Sequence, residues 1–217
     1  MIEKQQFIII GLGIFGATIA RELTQLGHDV LGIDVDEERV NRLAEDITHA
    51  VIADVTNENT LIEINAGSYD AAVVAIGRNV EATMLATLQL QELGVPKVWT
   101  KALTTQHHRI LERLGSNRII APEYEMGVRL AQELNYPMVH DYLGLGDEYF
   151  VVEFHTTDDL IGKTIGDIID DVKVEALVVK RNQEAHSQPD VNWKIRSGDR
   201  LVLGGWIEDL RKLVRNL

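Results

Sequence analysis

The sequence predicts an α/β protein: a doubly wound parallel sheet followed by a small α+β unit. Three observations predict it. Short apolar runs alternate with helix-compatible stretches through the first two-thirds of the 217 residues, the signature of β-α units laid on one sheet. The first run, Phe7-Ile8-Ile9-Ile10, leads directly into Gly11-Leu12-Gly13-Ile14-Phe15-Gly16. Beyond Pro137 the alternation ends, and strand-like runs separated by polar turns take over.

Taken in order, residues 6–10 form the first strand, and a helix runs from the glycine loop to Gln25 or Leu26, closed by Gly27. His28-Asp29-Val30-Leu31-Gly32-Ile33-Asp34 is the second strand. Asp36 caps a helix over 37–45. A third strand covers 50–54, and Thr56 or Asn57 caps a short helix after it. Residues 69–76 are a near-continuous apolar run, as expected of a strand covered on both faces. Asn79 caps the next helix, which stops at Gly94-Val95-Pro96. Strand five is 97–102, a helix covers 106–114, and strand six is 118–121. Pro122 opens a last helix and Tyr136-Pro137 ends it. Six β-α units make a complete sheet. The expected organisation is a nucleotide-binding unit over 1–136, a linker over 137–147 and an α+β unit over 148–217. In the latter, strands are expected at 149–154, 176–180 and 199–203. A short helix is expected at 164–169, a polar turn region at 182–190 and a terminal helix from Ile207.

The glycine spacing carries chemistry. Gly11 permits a tight turn, Gly13 lets backbone approach a diphosphate, and Gly16 lets the helix pack closely on the strand. The helix start then offers N–H groups to an anion. Asp34 ends the second strand 18 positions beyond Gly16, near the spacing of an acid that takes ribose hydroxyls, and it disfavours a 2′-phosphate. The plainer alternative is a β-α-β unit whose glycines serve packing only.

Composition narrows the classes. The chain has no cysteine, so disulfides, thiolate metal sites and a cysteine nucleophile are excluded. A net charge of −13 argues against non-specific nucleic-acid binding. Glu3 and Lys4 precede a short apolar run, unlike a secretory signal. No stretch reaches the roughly 20 apolar residues of a membrane span. A cytoplasmic location is expected.

With both parts read, the chain resembles the RCK (KTN) regulatory subunits of Ktr and Trk potassium-uptake systems, most closely the Ktr type. The matching stretches are 10–16, 27–31, 48–54, 74–77 with Asn79, 98–102 and 119–123. Gly198-Asp199-Arg200-Leu201-Val202-Leu203-Gly204 matches near the end. The resemblance implies a Rossmann-like N-lobe and a small C-lobe. It implies a homo-oligomer, dimers assembling into an octameric ring. That ring would be peripheral on the inner face of the membrane, docked on a membrane potassium-transporting subunit of the Ktr/Trk type. ATP, ADP or NAD(H) would change the ring's shape and gate ion flow.

By position, Gly11, Gly13, Ile14, Phe15 and Gly16 would hold the phosphates, and Asp34, Val35 and Asp36 the ribose. Asp54 and Val55 would flank adenine. Ile76, Gly77, Arg78 and Asn79 would line the end of strand four, and Lys101, Ala102 and His107 would approach from strand five. Glu123 would help hold Mg²⁺ or Ca²⁺ beside the phosphates. Each has a plainer reading: N-capping for Asp36, a solvated edge lysine for Lys101, a helix-dipole partner for Glu123. Many resembling subunits carry arginine where this chain has Ile14, so a grip on a third phosphate is missing and ADP or NAD(H) gains over ATP. Arg78 is a candidate substitute. Cyclic di-AMP in the C-lobe would lie near Ile165, Ile168 and Pro189, although core packing explains both isoleucines.

His107 and His108 point about 100° apart on a helix and do not chelate together, so both are expected on its surface. His140-Asp141 is expected in a solvated turn. An NAD-dependent oxidoreductase would need a positioned acid or base, and His155, Lys180 and His186 sit in no motif. A free-standing nucleotide or redox sensor is a third reading. The helix with Val80, Met84, Leu85, Leu88, Leu90 and Leu93 is apolar nearly all round and is expected to make subunit contacts.

Overall fold

The computed structural model describes residues 3–135 and 139–216, in two compact units, 1–124 and 125–217. The first unit begins with β1 (Gln6–Ile10), α1 (Ile14–Gln25), β2 (Asp29–Asp34), α2 (Glu37–Leu43), β3 (His49–Ile52) and α3 (Glu58–Glu63). It continues with β4 (Ala71–Val74), α4 (Val80–Glu92), β5 (Val98–Lys101), α5 (Thr105–Arg113), β6 (Arg118–Ile120) and the start of α6 (Pro122–Asn135). Among the described residues the strands form a parallel sheet in the order β3-β2-β1-β4-β5-β6. The expected fold class is correct.

The isoleucines of β1 explain its central place. Ile8 and Ile10 join one buried cluster, and Ile9 joins another on the opposite face. Each is 0–2% exposed, and burying such a side chain contributes about 1.5–3 kcal/mol. A strand apolar on both faces belongs inside a two-layered wrap of helices. The caps are as read: Asp36 accepts from Glu38 and Arg39 N–H, Asn57 from Asn59 N–H, and Asn79 from Ala82 N–H.

Helix α4 lies with one side on the sheet. Its buried residues are Ala82, Thr83, Ala86, Thr87 and Leu90, while Leu88 is 39% exposed. Small side chains let the helix lie close on the sheet, where Thr87 Oγ1 comes within 3.3 Å of Thr100 Oγ1. Leu90 is fully buried and Leu93 packs on the same core, while Val80, Met84 and Leu85 are half-buried and Leu88 is exposed.

The second unit departs from expectation in three places. The division between units falls inside α6, between Tyr124 and Glu125, not after it. The supposed linker holds β7 (Val139–Gly146), which pairs with β8 (Tyr149–His155). Residues 136–138, expected as helix exit and linker, lie outside the described residues. The polar region 182–190 contains β10 (Glu184–Ser187), paired with β9 (Val174–Arg181) across a turn with Asn182 at φ 58°. Glycine-rich and polar strands carry little alternation, so their pairing comes from neighbours. The remaining elements are α7 (Ile165–Ile169), β11 (Arg200–Trp206) and α8 (Ile207–Asn216). The sheet order is β10-β9-β11-β8-β7. Helices α7 and α8 pack on one face, where Ile165, Ile168, Leu210 and Leu213 join Phe154, Val179 and Leu201 in a core.

A polar clasp closes this unit. The Asp199 carboxylate is fully buried and accepts from the Arg181 guanidinium at 2.7 and 2.8 Å and from Arg196 N–H at 2.9 Å. Burial pushes the Asp199 carboxyl up, but these donors prevail and hold it below the usual carboxylate range.

Candidate functional site

In the first sheet the chain reverses between β1 and β4, and ligands of open α/β sheets bind outside the carboxyl ends of strands at that point. The candidate residues gather at this edge. Gly11 follows β1, Asp34 ends β2, Asp54 follows β3, Ile76 follows β4, and Lys101 ends β5.

The glycines divide by role. Gly11 has φ +92°, and a Cβ there would lie 2.9 Å from the backbone of Ala75 and Ile76. A Cβ on Gly16 would lie 1.9 Å from the Gly11 carbonyl oxygen. Both positions are required by the fold. Gly13 differs: φ is −66° at the N-cap of α1, and a Cβ would meet nothing within 4 Å. Among the described residues no contact requires glycine there, and the helix start opens to solvent. Ile14 beside it is 92% exposed. An apolar group so placed supplies no charge to a phosphate.

Asp34 has a second task. One carboxylate oxygen accepts from Leu12 N–H at 2.7 Å, and the other from Asp36 N–H at 2.9 Å. The acid ending β2 thus holds the glycine loop against α2. Oδ1 retains a lone pair for a ribose hydroxyl, whereas Oδ2 also faces Arg39 Nη1. Asp36 caps α2 and also lies 3.3 Å from Arg39 Nε. Arg39 Nη1 is 3.4 Å from Asp34, a contact that sequence reasoning missed although Arg39 lies three positions beyond Asp36. This guanidinium offsets part of the acidity, so the argument against a 2′-phosphate loses some force.

The adenine side is less as expected. Asp54 accepts from both Thr56 N–H and Thr56 hydroxyl at Oδ1, which lowers its pKa. Val55 is 4% exposed, and its side chain belongs to the core. Val35 is largely exposed, Ile76 is half-buried, and Gly77, Arg78 and Asn79 are exposed, with Asn79 engaged as a cap.

On the β5 side, Lys101 is not a solvated edge lysine. Its side chain is 9% exposed, and Nζ pairs with the Glu123 carboxylate and lies 5.7 Å from the Phe15 ring centre. Half-buried Phe15, in the first turn of α1, packs on the core that includes Leu12 and faces this lysine. The hydrogen bond from Lys101 holds the Glu123 carboxyl below its ordinary range. Ala102 is buried, and its N–H donates to Ile120. His107 is also buried, contrary to its expected place on the helix surface. Its Nδ1 accepts from Leu103 N–H at 3.3 Å, Nε2 is buried with no hydrogen-bond partner among the described residues, and burial pushes its pKa down. Only His108 is exposed. The helix turns His107 inward because α5 packs beside α4 with Leu111 buried on the same face.

Glu123 brings one carboxylate, and no cluster of three or more acids and histidines stands together among the described residues. A divalent cation there must take most of its oxygen ligands from elsewhere. His140-Asp141 lies in β7 rather than a solvated turn, and Asp141 pairs with Arg129 at 2.6 Å. Among the described residues no helix is long and apolar enough to cross a membrane.

The TrkA-N domain model matches residues 7–122. The chain is 41% identical over 213 residues to the Ktr system potassium uptake protein A of Bacillus subtilis (strain 168), spanning 97% of this chain and 96% of that protein. It is 36% identical over 216 residues to the Ktr system potassium uptake protein A of Vibrio alginolyticus, spanning 98% of each. Its fold is similar to the solved RCK domain of GsuK, with a TM-score of 0.67 at 16% identity, over 99% of this chain and 48% of that one.

Proposed function

This chain belongs to the TrkA-N family, alongside the Ktr potassium-uptake proteins, and from that premise we propose that it is a cytosolic, nucleotide-binding regulatory subunit of a potassium-uptake system. The observation that carries the reading is Gly13, a glycine that no contact among the described residues requires, at an open helix start. A diphosphate lying against that backbone gives the glycine its purpose. Asp34, already holding the loop, takes the ribose, and Lys101, Arg39 and Arg78 are the candidate cations at this edge. Ile14 favours ADP or NAD(H) over ATP. Glu123 contributes one ligand to Mg²⁺ or Ca²⁺, with phosphate oxygens supplying others.

The regulated act is a change of conformation. A nucleotide that binds two states of the assembly with different affinity shifts the balance between them. Copies of the chain form dimers and an octameric ring, and the ring docks on the inner face of the membrane through a potassium-transporting subunit.

A thermal-shift panel of ATP, ADP, NAD⁺, NADH and cyclic di-AMP, with and without Mg²⁺ or Ca²⁺, tests the site. A ligand at about 100 times its Kd adds roughly 2.7 kcal/mol. Asp34→Ala is expected to remove the ADP or NAD(H) shift. No shift with any nucleotide, or substrate-dependent hydride transfer with bound NAD, would overturn the reading.

A further inference from the structure

The second unit holds a cavity of about 280 Å³ between its sheet and α8. Tyr142, Phe150 and Phe154 line it from the sheet, and Ile207, Leu210 and Val214 from α8. The helix residues recur at the spacing of one face, which Arg211 shares. Water is poorly held in such a chamber, because an apolar lining gives it few partners. The volume is close to that of small-ligand pockets, and an apolar cavity of about 150 Å³ already takes a benzene ring.

Charge is confined to the mouth. Of the lining residues Glu148 and Arg211 alone are charged, and both are exposed. Neither has an ion-pair partner among the described residues. Other charges next to lining residues in the chain are engaged or lie outside the lining. Arg129 pairs with Glu133 and Asp141, Asp209 accepts from Lys173 N–H, and the Lys212 ammonium donates to the Asp171 carbonyl. Asp147, Glu208 and Arg215 are exposed and do not line the cavity. Backbone fixes where the two mouth charges stand. Asp147 and Glu148 form the turn between β7 and β8, at φ 47° and 63°. Glycine is favoured at such positions, so a long acidic side chain at 148 adds nothing to the turn. The Glu148 carbonyl accepts from Ile207 N–H at 2.9 Å, which pins it to the first residue of α8. Arg211 lies one turn further along the same face, about 6 Å on.

We propose that this cavity binds a free α-amino acid with an apolar side chain. The carboxylate lies on the Arg211 guanidinium, the ammonium on the Glu148 carboxylate, and the side chain fills the chamber. A zwitterion satisfies both mouth charges at once. A plain hydrocarbon leaves both without a partner, and a fatty acid brings its carboxylate beside that of Glu148. Every residue of the site belongs to the second unit, so the inference does not rest on the nucleotide reading of the first.

Titration calorimetry on the full chain with phenylalanine, leucine and methionine at millimolar concentration is expected to show saturable binding of at least one. Hydrocinnamate, which lacks the ammonium, and phenethylamine, which lacks the carboxylate, are expected to bind roughly ten-fold more weakly than phenylalanine, or less tightly still. This comparison uses the unaltered protein and does not depend on any variant folding. Arg211→Gln should weaken amino-acid binding roughly ten-fold. Glu148→Gly should do the same while melting no earlier than the parent, because glycine suits the positive φ of the turn. A residue needed only for the turn would give the opposite pair of results. Three outcomes would overturn the proposal: no saturable binding of any of the three amino acids, either analogue binding as tightly as phenylalanine, or Glu148→Gly binding as the parent does. The first is the result expected if another chain covers the cavity.

Discussion

Substituting alanine at Gly13 and at Gly16 separates a ligand's requirement from the fold's. At Gly16 the new Cβ would lie 1.9 Å from the Gly11 carbonyl oxygen. Ordinary contact needs about 3.4 Å, so α1 must back away from the loop. Forced overpacking of this size costs about 1–3 kcal/mol, which lowers the Tm of a domain this size by roughly 4–12 °C. At Gly13 the Cβ meets nothing and φ is −66°. Alanine is a poorer N-cap than glycine by a few tenths of a kcal/mol or more, and the stiffer unfolded chain offsets that by about 0.4–1 kcal/mol. Gly13→Ala is therefore expected to melt within about 2 °C of the parent. On the proposed function, its methyl nevertheless stands where a diphosphate would touch backbone. Losing one charge-assisted N–H bond costs about 1.5–3 kcal/mol, or roughly 10- to 150-fold in affinity. Calorimetric melting and titration with ADP or NADH on both variants measure the two effects separately. If Gly13→Ala melts as early as Gly16→Ala, or binds nucleotide as the parent does, the reasoning fails.

Two further predictions follow from particular contacts. Ile14→Arg adds a cation at the exposed helix start, and titration should show affinity for ATP rising against ADP by roughly ten-fold; an unchanged ratio would mean that the missing arginine is not limiting. Arg181→Ala leaves buried Asp199 with Arg196 N–H as its remaining donor in the clasp and should cost about 3 kcal/mol in urea unfolding at pH 7. In the parent, the lowered Asp199 pKa contributes stability that is full above about pH 4 and is lost as pH falls through the folded value. In the variant, burial alone raises that pKa, so the gap between the two proteins should narrow on acidification. A gap independent of pH would refute the account.

Much of this molecule was legible before folding was considered. The isoleucine run with its glycine loop, the acid at Asp34 and the caps at Asp36, Asn57 and Asn79 are local features whose physics acts within a few residues. The misreadings share a cause. His107 faces inward because α4 and α5 pack side by side. β7 and β10 exist because β8 and β9 offer them edges, and their own residues announce little. Val55 entered the candidate site by position in the chain, and the core claimed its side chain.

By itself, then, the sequence determined the doubly wound sheet, the glycine turn after β1 and the identity of most residues at its edge, because period, glycine spacing and capping are written locally. Only the tertiary structure decided what those residues are free to do. Asp34 holds the loop through Leu12, Lys101 is buried against Glu123, and Gly13 alone among the three loop glycines has empty space where a side chain would be. Such facts depend on contacts between segments far apart in the chain, and no reading of neighbours along it supplies them.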